Sequence, residues 1–390
     1  MTIPNRIRLG MIGGGQGAFI GAVHRHAARL DDRYELVAGV FSARPEVNRA
    51  SAEELRVNPG RCYDDVPALI AGESGREDGV QAVAIVTPNH LHFEAAKACL
   101  EAGLHVICEK PMTLTADEAE ALAKRAEQKQ VQLLLTHPYV GYPLVQHART
   151  MVKRGDLGQV RMVNVEYVQE WLAEAPGPDN KQADWRLDPK RAGAAGCLGD
   201  IGTHAYQLSA FISGLTLDAV SADLSVMVEG RQLDDNVQAL LRYTSGAKGM
   251  LWASQCAPGF ENGLRIRVVG ERASLEWAQE QPNELWFAPL NAPRQRITRR
   301  DDWLDDDINR SVRIPGGHPE GYIEAFANLY QALADALNGD PATWLPDAHT
   351  GVDGLHFISA VLRSSQADGA WATVPPPVGK ERRAGRRRDD

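Results

Sequence analysis

Three groups of residues in this sequence have the types and spacing to do chemistry together. Glu109-Lys110-Pro111 follows a short apolar run, His105-Val106-Ile107-Cys108. Pro111 restricts the backbone of Lys110. A lysine held at a strand end can hydrogen-bond a substrate hydroxyl and stabilise the alkoxide that develops; read alone, it serves equally as a surface ion pair with Glu109. Asp200 and His204 are spaced i, i+4 in Asp200-Ile201-Gly202-Thr203-His204, which puts them on one face of a helix. A carboxylate beside an imidazole orients the ring and stabilises its protonated form, and such a histidine accepts a proton from an alcohol. Read alone, Asp200 is an acid favourable at a helix start, with an unrelated histidine beyond it. Gly13, Gly15 and Ala18 fit a G-x-G-x-x-(G/A) frame, with Gln16 and Gly17 inside the turn. Such glycines let backbone N–H groups approach a pyrophosphate at a helix N-terminus. A dinucleotide cradle, a fixed cation and a carboxylate–imidazole pair are the parts that move a hydride and a proton off a secondary alcohol. Lys110 and His204 would have to meet around one oxygen.

The elements that must position these residues follow from the hydrophobic pattern. Strands are expected at 7–12, 34–41, 82–86, 105–108 and 131–136, and helices at 19–30, 45–55, 65–71, 91–102 and from 115 to about 130. Thr115-Ala116-Asp117-Glu118 is a capping box. Alternating units with continuous apolar strands imply a parallel sheet covered on both faces, a doubly wound Rossmann arrangement. Its strand C-termini share the edge where ligands bind. The glycine turn, Thr87-Pro88-Asn89 and Glu109-Lys110-Pro111 all fall there. After residue 137 the grammar changes. A helix is expected at 142–154 and an alternating strand at 160–169. A long loop follows over 170–198, then a helix at 200–213. Strand-like runs at 219–228, 237–243, 247–254, 264–269, 273–277 and 284–287 indicate a largely antiparallel sheet, and helices at 322–337 and 348–365 close the chain. The fold class is α/β, with the N-terminal Rossmann sheet followed by an α+β domain. The expected divisions are 1–137 for NAD(P) binding, 138–375 for substrate binding (and, by the family resemblance drawn below, oligomerisation), and 376–390 as a disordered basic tail.

The second strand leads into Phe41-Ser42-Ala43-Arg44, without the acid that normally binds ribose hydroxyls. A small hydroxyl at Ser42 and a cation at Arg44 suit a 2′-phosphate, which leans the cofactor from NAD towards NADP. Arg44 also reads as a solvated residue beside the helix start. His92 lies close behind Thr87-Pro88-Asn89 and joins them, with Glu109 and Lys110, as a candidate cofactor residue. Trp185-Arg186, in the long loop, could cover the nicotinamide or bind a substrate oxygen, or simply pack the loop.

Composition excludes several classes. The formal charge of −9 over 390 residues argues against nucleic acid as a partner. Five cysteines without a CxxC pair argue against a zinc site or disulfide framework and for a reducing cytoplasm. No run approaches the roughly 20 apolar residues of a membrane span.

Taken together these residues resemble the glucose-fructose oxidoreductase / inositol dehydrogenase (Gfo/Idh/MocA) family, over about residues 6–370. Glu109-Lys110-Pro111 and the Asp200–His204 helix after Ala192-Gly193-Ala194-Ala195-Gly196 carry the resemblance. It implies that Lys110, Asp200 and His204 line the catalytic site, that Thr87-Pro88-Asn89 is the cofactor edge, and that Trp185-Arg186 stands near nicotinamide and substrate. It also implies an open C-terminal sheet through which members pair as dimers or tetramers. Thr136-His137-Pro138-Tyr139 stands where many members have Asn-Tyr-Arg. The implied reaction is hydride exchange between NAD or NADP and a secondary hydroxyl or ketone of a sugar, inositol or glycoside. Two alternatives stay open: a tightly held cofactor recycled within one catalytic cycle, and a non-catalytic dinucleotide-binding redox sensor.

Overall fold

The computed structural model describes residues 6–175, 177, 180–300, 304–340 and 342–377. The basic run 380–388 lies outside them. The fold has two compact units, residues 6–141 with Tyr322–Gly351, and Tyr142–Gly321 with 352–377. The linear division expected from the sequence thus gains a crossing, because Tyr322–Gly351 returns to the first unit.

The first unit is a parallel sheet of β1 (Ile7–Gly13), β2 (Tyr34–Val40), β3 (Ala82–Val86), β4 (His105–Cys108) and β5 (Leu133–Leu135), in the order β2-β1-β3-β4-β5. β3 is buried along its whole length, which is why it is apolar at every position rather than alternating. Helices α1 (Phe19–Leu30), α2 (Pro45–Glu54), α3 (Val66–Glu73), α4 (His92–Glu101) and α5 (Ala116–Lys129) connect the strands. The Thr115 capping box forms as expected, each partner satisfying an amide of the other. Gly13 pairs with Val86, Ile85 with Cys108, and Cys108 with Leu135, so the strand ends lie along one edge. The strand order reverses direction at β1/β3, where open parallel sheets bind ligands.

In the second unit α6 (Pro143–Arg154) leads into β6 (Val160–Val168). The expected loop over 170–198 carries two short helices, α7 (Lys181–Arg186) and α8 (Pro189–Ala192). The helix expected from Asp200 differs at its start. Leu198–Gly202 is a π turn, and α9 runs over Thr203–Ser213. Then come β7 (Leu217–Ser225), β8 (Asn236–Tyr243), β9 (Lys248–Ser254), β10 (Gly263–Gly270), β11 (Ala273–Ala278), β12 (Glu284–Pro289) and β13 (Gln295–Thr298), and a short helix α10 (Asp306–Asn309). α11 (Tyr322–Leu337) belongs to the first unit; α12 (Ala348–Gln366) and β14 (Ala372–Thr373) end the described chain. The sheet order is β13-β12-β11-β10-β6-β9-β8-β7-β14. It is antiparallel except where β6 meets β9. The inner face, with Val163, Val165, Tyr167, Leu241, Leu251 and Ile266, is buried, and α9 packs on it. On the opposite face Met162, Leu240 and Met250 are 45%, 50% and 54% exposed.

Candidate active site

The glycine turn of the first unit has the backbone its sequence demands. Gly13, Gly14 and Gly17 have φ of +82°, +73° and +78°, values that L side chains rarely adopt. The Gly15 amide donates to Phe41 O at 3.1 Å, and that of Gln16 to Ser51 Oγ at 3.0 Å. A Cβ on Gly15 would stand 2.7 Å from both acceptor atoms. The turn is therefore closed against the end of β2 and α2. The Gln16 side chain reaches Glu54 at 2.9 Å. Ser42 Oγ accepts from the Arg44 amide at 3.1 Å, leaving Arg44 exposed at the N-cap of α2.

Thr87 follows β3 and lies against Gly13: a Cβ there would be 2.9 Å from Thr87 Cγ2. Thr87 Oγ1 is buried with no hydrogen-bond partner among the described residues. A buried orphan hydroxyl costs free energy unless something satisfies it, and a polar group of a dinucleotide laid over the glycine turn would do so. The residues present fit that cofactor.

His92 and Glu109 are tied to the strand ends by their own hydrogen bonds. His92 is fully buried, and its Nδ1 and Nε2 lie 2.9 Å from Pro111 O and Thr87 O. Burial holds its pKa below the ordinary histidine value, the two carbonyls opposing that shift. The ring clasps two strand-end loops to each other. Glu109 is also buried. Its Oε1 accepts from His24 Nε2 at 2.9 Å and Thr136 Oγ1 at 2.6 Å. Both side chains lie among interior groups behind the strand ends, because a continuous buried strand delivers the next residue into the core as readily as into the cleft. Lys110 is half-buried. His137 lies two residues beyond the end of β5 and is 1% exposed. Burial, and then the Lys110 charge, push its pKa down to about 3.

In the second unit the Asp200 carboxylate is held from two directions. Arg186 Nε donates to Oδ2 at 3.1 Å and Gln255 Nε2 donates to the same oxygen at 2.8 Å. Arg186 also donates to Gln182 O and Oε1, and its guanidinium lies 4.3 Å from the Trp185 ring centroid. The Trp185-Arg186 pair thus reaches the carboxylate from α7. Asp234 anchors the turn before Asp200, accepting the amides of Gly196 and Leu198 at 2.6 and 2.7 Å. A π turn winds wider than an α turn, so Asp200 and His204 are not related by plain α-helical spacing. His204 is 7% exposed, with its ring 6.3 Å from that of Tyr167.

His24, Tyr330, Gln255 and Asp234 were not singled out by sequence, and Thr136 only as part of a departure from the family pattern. A polar residue on the apolar stripe of α1 marks His24; the other positions carry no comparable local signal.

This architecture defines an NAD-binding oxidoreductase. Residues 7–137 match the oxidoreductase family with an NAD-binding Rossmann fold, and 145–276 match the GFO/IDH/MocA C-terminal domain; the chain belongs to the Gfo/Idh/MocA family. It is 35% identical to the uncharacterized oxidoreductase YfiI of Bacillus subtilis, over 95% of this chain and 97% of that one. It is 29% identical to levoglucosan dehydrogenase of Pseudarthrobacter phenanthrenivorans, over 95% and 98%. An inositol dehydrogenase homolog from Azotobacter vinelandii, solved in complex with NAD+, superposes with a TM-score of 0.92 at 38% identity, over 95% and 98% of the chains.

Proposed function

We propose that this chain is a dehydrogenase that exchanges a hydride between a nicotinamide cofactor and a secondary hydroxyl or ketone of a sugar, inositol or glycoside, with Lys110, Asp200 and His204 as its working groups. When bound, the nicotinamide supplies the hydride acceptor or donor. Lys110 binds the reacting oxygen and stabilises the charge it gains. His204 takes the hydroxyl proton and returns it in the reverse direction. Asp200, fixed by Arg186 and Gln255, binds a neighbouring hydroxyl or steadies the imidazole. The observation that carries the reading is Lys110 at the carboxyl edge of β4, in the same unit as a glycine turn whose neighbour Thr87 has an unsatisfied hydroxyl.

Arg44, exposed at the N-cap of α2 where a ribose-binding acid is absent, favours NADP(H). The outer face of the second sheet supports self-association. Leu240 and Met250 are paired neighbours at its centre, and a cavity of about 640 Å³ there is rimmed by Glu166, Arg265 and Arg267. Both charge signs border one apolar patch, which suits an isologous contact with a second copy. All five cysteines are free, which suits a reducing cytoplasm. No helix among the described residues is long and apolar enough to cross a membrane.

The test is a panel of inositols, aldoses and glycosides with NAD+ and NADP+, followed by absorbance of the reduced nicotinamide. Reduction with at least one polyol supports the reading. Cofactor binding without turnover of any of them defeats it.

A further inference from the structure

Behind the candidate catalytic lysine lies a buried polar chain inside the first unit. Tyr330 Oη, on α11, is 2.7 Å from His24 Nδ1, on α1. His24 Nε2 is 2.9 Å from Glu109 Oε1, and Thr136 Oγ1 reaches the same oxygen at 2.6 Å. The other carboxylate oxygen, Oε2, is 3.3 Å from the Lys110 amide. We propose that Glu109 is the fixed counter-charge that positions Lys110, and that His24, Thr136 and Tyr330 hold it there. This rests on the reading of Lys110 given above, and makes Glu109 a positioning residue.

Burial pushes the Tyr330 phenol far above its ordinary pKa, so it keeps its proton. Its hydroxyl shares a hydrogen bond with His24 Nδ1, and His24 Nε2 meets Glu109 Oε1. Thr136 donates to the same Oε1. With two partners on one oxygen the carboxylate plane is fixed. Burial alone would raise the Glu109 pKa, but the His24 bond and charge, then Lys110, then the Thr136 hydroxyl outweigh it, and the net direction is down. Glu109 is therefore a buried anion, and such a group is costly unless hydrogen-bonded and paired. The Lys110 charge acts on it, as on His137 and His92. A lysine stem is flexible and its ammonium a compact point charge. An immobile carboxylate beside its own backbone limits where that charge goes. Four elements far apart in sequence, α1, the end of β4, the end of β5 and α11, contribute to this restraint.

The experiment uses the full chain and three substitutions, Glu109→Gln, Thr136→Val and Tyr330→Phe. Cofactor affinity is read from the fluorescence of the reduced nicotinamide, and kcat and KM from turnover. The third readout is the 13C resonance of Lys110 after reductive methylation, assigned by its loss in Lys110→Met. Glu109→Gln should lower kcat about tenfold or more, the scale of one electrostatic contact, move the Lys110 resonance, and keep cofactor Kd within about twofold, because the buried Glu109 carboxylate is turned to His24 and Thr136. Weakened cofactor binding with unchanged kcat, or an unmoved resonance, overturns the proposal. If Glu109→Gln does not fold, Thr136→Val and Tyr330→Phe take its place: both should move the same resonance, and if neither does the proposal is wrong. The resonance needs no turnover. A wild-type protein inactive on every polyol would defeat the proposed reaction and still leave this test decisive.

Discussion

Gln255 donates its side-chain amide to Asp200 at 2.8 Å, on the carboxylate oxygen that Arg186 also reaches at 3.1 Å. Two donors on one oxygen, one cationic and one neutral, fix the rotation of the carboxylate. Gln255→Leu removes the neutral donor and keeps most of the volume. It should lower kcat/KM by about tenfold, the equivalent of one net hydrogen bond to a charged group. Steady-state kinetics on an accepted polyol checks this, with thermal melting as the control for folding. Undiminished kcat/KM would mean that Arg186 alone positions Asp200.

Lys110→Met replaces the ammonium with an apolar group of similar length. Turnover should fall by about two orders of magnitude or more, with cofactor affinity nearly intact. Full activity in this variant removes Lys110 from the reaction.

Arg44 bears on cofactor choice. Arg44→Ala should raise the Kd of NADP(H) about tenfold and leave that of NAD(H) within about twofold, because only the former carries a 2′-phosphate. Equal weakening of both would show that Arg44 acts on something the two cofactors share.

His137 predicts a pH dependence of stability. Unfolded, it titrates near the ordinary histidine value of about 6.5; folded, burial and the Lys110 charge lower it to about 3. Between these values the unfolded chain binds more protons, so the folded state loses stability as pH falls below about 6.5. At pH 5 the loss is about 2 kcal/mol. Urea unfolding at pH 7.5 and pH 5 should show this drop, reduced by that amount in His137→Gln. An identical drop in both proteins would mean that His137 is already protonated in the fold.

The outer sheet face predicts an oligomer. Leu240→Arg with Met250→Arg puts two charges into the centre of the exposed patch. Light scattering after size exclusion should show the wild type as an oligomer and the variant shifted to monomer, with the melting temperature little changed. A wild type already monomeric at micromolar concentration ends the argument for this face.

What the sequence made legible was local. β3 and β4 are continuous apolar runs, and Thr115 and Glu118 cap α5 through contacts three residues apart. The glycines at 13, 14 and 17 declare a turn that only they can follow comfortably. What was hidden depends on partners distant in the chain. The β6–β9 pairing is parallel because strands over eighty residues apart meet, and nothing within either strand encodes that direction. The π turn at Leu198–Gly202 leads out of a segment tied down by Asp234. The burial of the Glu109 side chain is decided by His24 and Thr136, neither of which its motif announces. The Gln255 contact to Asp200 comes from the loop after β9, beyond the reach of any local spacing.

The return of Tyr322–Gly351 to the first unit bears on how this chain is made. Tyr330 Oη bonds His24, its carbonyl accepts from Tyr34 Oη at 2.8 Å, and the Phe326 ring lies 4.7 Å from that of His24. During synthesis the nucleotide-binding half emerges first, but the helix that covers these groups follows after some 180 further residues have been translated. A nascent chain stopped before Tyr322 leaves the seat of α11 wet, so the dinucleotide half matures late, and shortening the gene from its 3′ end would damage the front of the protein.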